Sequence, residues 1–156
     1  MKEATLRDVL LGHLPIESLA SEAATATERI GPVTRRVHIQ DLQGDEEFEI
    51  TAPMLAQLCD HVLAGKLPPA ALEPIGFAVI ASDHLGWAED DELVARVLYD
   101  WAAPEVNWDL TMENVQMFRG WLTGDIAPPP QPTLDRTGAP GQLLSRTSKA
   151  RDKPQK

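Results

Sequence analysis

Residues 90–104, Asp90-Asp91-Glu92-Leu93-Val94-Ala95-Arg96-Val97-Leu98-Tyr99-Asp100-Trp101-Ala102-Ala103-Pro104, decide the fold class. Leu93, Val94, Val97, Leu98 and Trp101 recur at the three- and four-residue spacing that lines one side of a helix. Asp90, Asp91 and Glu92 stand at its start, where aligned peptide dipoles favour negative charge. Pro104 stops it, because proline cannot continue the hydrogen-bond ladder.

The same signals recur on both sides. Downstream, Thr111 caps a last helix, Leu110 can staple against Val115, and Val115, Phe118, Trp121 and Leu122 face inward until Gly124 closes the element. Upstream, Thr51 caps a helix with Pro53 in its first turn. Met54, Leu55, Leu58, Val62 and Leu63 form its apolar side, and Gly65 ends it. Pro68-Pro69 starts the next helix, carrying Leu72, Ile75, Phe77, Val79 and Ile80. Pro74 inside that pattern removes a donor, so a kink or a short turn before the main helix is expected. Near the start, Thr5 caps a short helix through Leu11, closed by Gly12. Pro15 then suits the first turn of a second helix reaching about Thr25. Asp83-His84-Leu85-Gly86 reads as a loop.

One segment changes period. Val33, Val37 and Ile39 share a parity, and Phe48 and Ile50 resume the alternation after Gln43-Gly44-Asp45. This predicts two strands around a glycine turn. The expected fold is therefore mainly α: a small helical domain of about five or six helices with one inserted β-hairpin at about 33–50. An internal echo accompanies it. Gly12-His13-Leu14-Pro15 followed by Leu19 repeats, 53 positions on, as Gly65-Lys66-Leu67-Pro68 followed by Leu72. A helix end, a glycine stop, a leucine contact and a proline restart predict two similar αα-hairpins.

Charge divides the chain. Residues 1–123 hold 21 acidic and 8 basic side chains, a net −13; residues 124–156 hold 3 and 6, a net +3. The first part reads as an acidic helical domain. The second, opening with Pro128-Pro129-Pro130-Gln131-Pro132, reads as a disordered, proline-rich, basic tail. An acidic body repels nucleic acid and anionic membrane and attracts basic surfaces. Met1–Thr5 carries no apolar signal core, and no apolar run approaches the roughly 20 residues needed to span a bilayer. The expectation is a cytoplasmic protein.

Catalytic constellations are not apparent in the residue pattern. Cys59 is the single cysteine; its apolar neighbours predict burial, and His61, two residues away, points elsewhere on a helix. Asp60-His61 and Asp83-His84 could meet at a metal, but no ligand pair has zinc-type spacing. No glycine-rich phosphate loop and no nucleophile elbow occur. The expectation is no enzyme, no cofactor and no metal.

Partner-binding residues are better marked. Asp41, Asp45, Glu46, Glu47 and Glu49 cluster on the expected hairpin, and Glu89, Asp90, Asp91 and Glu92 follow Trp87. All four tryptophans lie in 87–121; Trp101 and Trp121 fit helical core positions, whereas Trp87 and Trp108 lie in loops. A loop tryptophan either plugs the core or anchors a partner. The candidate contact set is Asp45, Glu46, Glu47, Glu49, Trp87, Glu89, Asp90, Asp91, Glu92 and Trp108.

The stretch from Leu58 to Leu122 resembles one group of small bacterial immunity proteins. The resemblance rests on Leu63-Ala64-Gly65-Lys66-Leu67, Ile75-Gly76-Phe77, Ser82-Asp83, Asp100-Trp101-Ala102-Ala103-Pro104-Glu105-Val106-Asn107, Leu110-Thr111 and Glu113-Asn114-Val115. It implies an acidic, helical inhibitor of a basic toxin, typically a nuclease. No toxin-contacting residue carries over, because the group has no fixed contact motif to match. The expected function is a non-enzymatic protein-binding protein of the immunity or antitoxin type, its partner a basic toxin or nuclease domain, with no direct nucleic acid or membrane contact. The alternative is an adaptor or regulatory subunit of a bacterial assembly, using its acidic body and its tail.

Overall fold

A computed structural model describes residues 1–131. The expected disorder of the tail beyond Gln131 lies outside the described residues. Among these, the elements run α1 (Glu3–Leu10), α2 (Ile16–Ala24), β1 (Thr27–Arg29), β2 (Arg35–Val37), β3 (Phe48–Glu49), α3 (Ala52–Leu63), α4 (Leu72–Ala81), β4 (Leu85–Gly86), α5 (Glu92–Ala102) and α6 (Met112–Thr123). The domain is mainly α, with a small antiparallel hairpin, as its periodicity predicts.

The helix ends follow their local chemistry. Asp91 caps α5 by accepting from Val94 N at 3.1 Å, and Thr111 caps α6 by accepting from Asn114 N at 3.1 Å. Gly124 ends α6 at φ +82°, a left-handed conformation that glycine adopts without steric cost. A short 3-10 turn, Pro69–Ala71, precedes α4. Pro74 then falls in the first turn of α4, where its missing donor breaks no helical bond. Two expected caps differ. Thr51 precedes α3 without a side-chain cap bond. The first helix starts earlier than Thr5, at Glu3, so the Thr5 hydroxyl bonds Glu22 Oε1 at 3.1 Å instead.

The two echoed turns match bond for bond. Leu11 N donates to Arg7 O, Gly12 N to Val9 O, His13 and Leu14 N to Asp8 O, and Ser18 N to Pro15 O. At the same offset, Ala64 N donates to Asp60 O, Gly65 N to Val62 O, Lys66 and Leu67 N to His61 O, and Ala71 N to Pro68 O. Both glycines have positive φ, +77° and +76°. The packing around the turns differs: α1 lies against α2, whereas α3 lies against α6 and α4 against α5. The second turn therefore does not close a tight αα-hairpin.

The core is one cluster. Leu55, Leu58, Cys59 and Val62 of α3 meet it from one side, and Val115, Phe118 and Trp121 of α6 from another. Trp101 packs edge-on against Phe118 at 6.3 Å, and Phe118 against Trp121 at 5.3 Å. Burying such rings supplies much of the hydrophobic driving force. Gly76 sets how closely α4 and α5 approach: a Cβ there would lie 2.9 Å from Leu98 O and 3.0 Å from Trp101 Cβ. Phe77 does not join the core as its neighbours suggest; it is 39% exposed, because it sits two residues from Ile75 and so on another side of α4.

The strand pairing differs from the expected one. Segment 35–37 is a strand, but its antiparallel partner is β1, in the register Thr27↔Val37, Glu28↔Arg36, Arg29↔Arg35. Val33 lies at the connecting turn and is 96% exposed. Residues 38–42 do not meet 48–50, because the N-terminus takes their backbone groups. Met1 N donates to His38 O, Gln40 N to Met1 O and Glu3 N to Gln40 O, each at 2.9 Å. Leu42 N donates at 3.0 Å to Glu3 Oε2, a carboxylate oxygen of a fully buried side chain. Phe48 and Ile50 then find their acceptors in His84 O and Gly86 O, at 2.8 and 2.7 Å. The segment 83–86, expected as a loop, thus supplies β4, parallel to β3.

Candidate functional site

The parallel pair organises the acidic residues. Asp45, Glu46 and Glu47 lead into β3 and Glu49 ends it; all four are exposed. Glu49 stands across from Gly86, and the chain beyond Gly86 runs through Trp87 and Ala88 into Glu89-Asp90-Asp91-Glu92. Glu89, Asp90 and Glu92 are exposed, and Asp91 is half-buried. Two acidic runs that are far apart in the chain therefore flank one short ladder. At its leading end His84 Nδ1 lies 2.9 Å from Glu46 O, and exposed Asp83 adds a further carboxylate.

Not every acid in the set is equivalent. Asp91 is engaged in capping α5. Glu46 forms an ion pair with Arg7 of α1, which also holds Asp8. The hydrogen bond to Asp8, with the charges of Asp8 and Glu46, pushes the Arg7 guanidinium above its ordinary pKa. Exposed pairs of this kind contribute little stability, so Arg7 mainly fixes the direction of Glu46. An open depression of about 250 Å³, bounded by Lys2, Arg7, Gln40, Asp41, Leu42 and Glu46 among others, borders this region.

The two candidate tryptophans are placed by the core. Trp87 is 6% exposed and meets Tyr99 edge-on at 6.5 Å. It belongs to the core, so the expectation that it offers its ring to a partner is corrected: the residue that directly follows β4 is turned inward. Trp108 is half-buried, edge-on to Trp121 at 6.0 Å. Its loop is tied down by Asn107, whose Nδ2 donates to Asp100 Oδ1 at 3.1 Å, and by Asn114, whose Nδ2 donates to Asp109 O at 2.8 Å. Asp100 is 7% exposed, and burial pushes its pKa up, opposed by the Asn107 bond and the charge of Arg96. In the sequence its only local mark is a lone Asp among the apolar residues late in α5.

The residues weighed for chemistry have other engagements. Burial pushes the Cys59 thiol up to about 12, with the charge of Asp60 adding to the effect, so the nucleophilic thiolate is suppressed. Asp60 pairs with Arg119 of α6, joining α3 to α6 at their surface. His84 is turned to Glu46 O. The two Asp-His pairs thus have different partners, and among the described residues no group of three or more His, Cys, Asp or Glu side chains is placed to hold a metal ion. Among the same residues no helix is long and apolar enough to cross a membrane.

No family model matches the chain, and no curated protein and no solved structure matches it significantly.

Proposed function

We propose that the protein is a non-enzymatic binding protein of the immunity or antitoxin type, which masks a basic surface of a toxin with the acidic residues around β3 and β4. The reading rests above all on one observation: exposed Asp45, Glu46 and Glu47 lead into β3, whose exposed Glu49 is paired with Gly86 of β4, and β4 leads on to exposed Glu89, Asp90 and Glu92. The net −13 of residues 1–123 adds a long-range field of the same sign. Such a field accelerates encounter with a cationic surface and discriminates among partners more than it adds affinity. A nuclease domain, basic because it must hold phosphates, is the kind of partner that fits, and the cytoplasm is the compartment where such protection is needed.

The test is direct. The purified protein is mixed with basic toxin domains encoded beside its gene, and association and toxin inhibition are measured at low and high salt. A complex whose association rate falls steeply with salt, and which silences the toxin, supports the reading. A complex indifferent to salt, or the absence of any complex with those domains, sinks it.

An adaptor role is the second reading. It draws on the acidic body and the basic composition of segment 132–156, with Ile126 and Pro129 seated on the body before it. Removing 132–156 separates the two: protection is retained under the first reading, and function is lost under the second.

A further inference from the structure

The chain does not run freely away from α6. Gly124 turns it back, and Ile126 N donates to Gly120 O at 3.0 Å. The Ile126 side chain lies directly over Gly120: a Cβ at that glycine would come within 2.5 Å of Ile126 Cδ1 and 2.8 Å of its Cγ1. Further on, Arg96 of α5 lies over the Trp121 ring, 4.8 Å from its centroid, and donates through Nη1 to Pro129 O at 2.5 Å.

These contacts have the spacing of a recognised strand. Proline fixes φ near −65°, and a residue before proline is pushed towards extended backbone, so Ala127–Pro130 favours the polyproline conformation. That helix has three residues per turn, which brings positions 126 and 129 to one side. The receiving surface has two matching parts. Gly120 leaves a notch for an aliphatic side chain. Arg96, oriented by its stacking on Trp121, presents a donor to a carbonyl that carries no competing N–H of its own. The buried Trp121 ring holds the guanidinium in one orientation, so the donor is directed before a strand arrives.

We propose that the α5–α6 surface formed by Gly120 and by Arg96, which Trp121 supports from beneath, is a binding site for an extended proline-rich strand carrying an aliphatic residue three positions before a proline. The chain's own Ile126 and Pro129 occupy it in cis, and a segment of the same chemistry from another protein takes their place when they leave. A short tether holds the cis segment at an effective concentration of about a millimolar, so wild-type protein screens the site from weak ligands.

The test uses the full chain and a synthetic peptide of residues 124–131. In an Ile126→Ser, Pro129→Gly double variant the cis segment is released. Titration followed by backbone amide shifts is expected to give saturable changes at Arg96 and Gly120, with roughly tenfold tighter apparent binding than in wild type. Adding Arg96→Ala is expected to abolish them. Binding that is equal in wild type, in the released variant and with Arg96→Ala, or absent from all three, overturns the proposal. A second variant guards against misfolding: Gly120→Ala fills the notch while favouring helix. It is expected to accelerate proteolytic cleavage within 125–131 several-fold; an unchanged cleavage rate counts equally against the site.

Discussion

Phe48 and Leu85 stand opposite one another in a parallel pair whose crossover is made by α3 and α4. Parallel strands need such a long connection, and here the connection contains two of the six α-helices of the described residues. The position of Glu49 relative to the 89–92 acids is consequently set by how α3 packs on α6 and α4 on α5, not by any contact between the acids themselves.

Substituting Glu49 and Glu89 together by lysine is expected to slow association with a basic partner by about tenfold or more at low salt, with the difference shrinking as salt screens the field. Both side chains are exposed, so the unfolding free energy should change by less than about 1 kcal/mol. Stopped-flow association and denaturant unfolding, run on the same preparations, check both halves.

Gly76→Ala should cost about 1–3 kcal/mol, as overpacking does. The new methyl would meet Leu98 O and Trp101 Cβ, atoms of the helix α5 that cannot swing aside. Denaturant titration is the measurement; a neutral or stabilising result would mean that α4 and α5 are less tightly apposed than described.

The Asp100 carboxyl offers a pH signature. Its folded pKa lies above the ordinary 3.8, first because of burial. Between those two values the folded state holds more protons than the unfolded one, so this group's contribution to stability falls as pH rises from 3.8 towards the folded pKa. Asp100→Asn removes the titration and retains an acceptor for Asn107. The variant is therefore expected to gain stability relative to wild type over that rise, and a difference that stays flat with pH would contradict the burial effect.

Cys59 should be silent towards disulfide reagents in the native protein at neutral pH and react stoichiometrically once unfolded. Its thiol is fully buried and pushed up to about 12. Reaction at the native state faster than global unfolding would show a local opening of α3.

The helices were legible in the sequence because their signals are local. Asp91, Thr111, Gly65 and Gly124 specify ends within one turn. Strand partners were not, because pairing is decided by competition: Met1 and Glu3 take the backbone groups of His38, Gln40 and Leu42 that a hairpin with 48–50 would have needed. The candidate site divides in the same way. Its acids could be read as exposed runs, but the pairing of β3 with β4 that relates the two runs could not. Trp87 was misplaced for a related reason, since its inward direction comes from a strand that alternation did not reveal.

The twin turns at Gly12 and Gly65 carry one more lesson. Their hydrogen bonds agree although the helices they join pack against different neighbours. A turn indifferent to its surroundings can form before those surroundings exist. Both are thus suited to act as early, short-range corners of the folding chain, whereas the β3–β4 ladder, whose strands are separated by α3 and α4, is expected to close late.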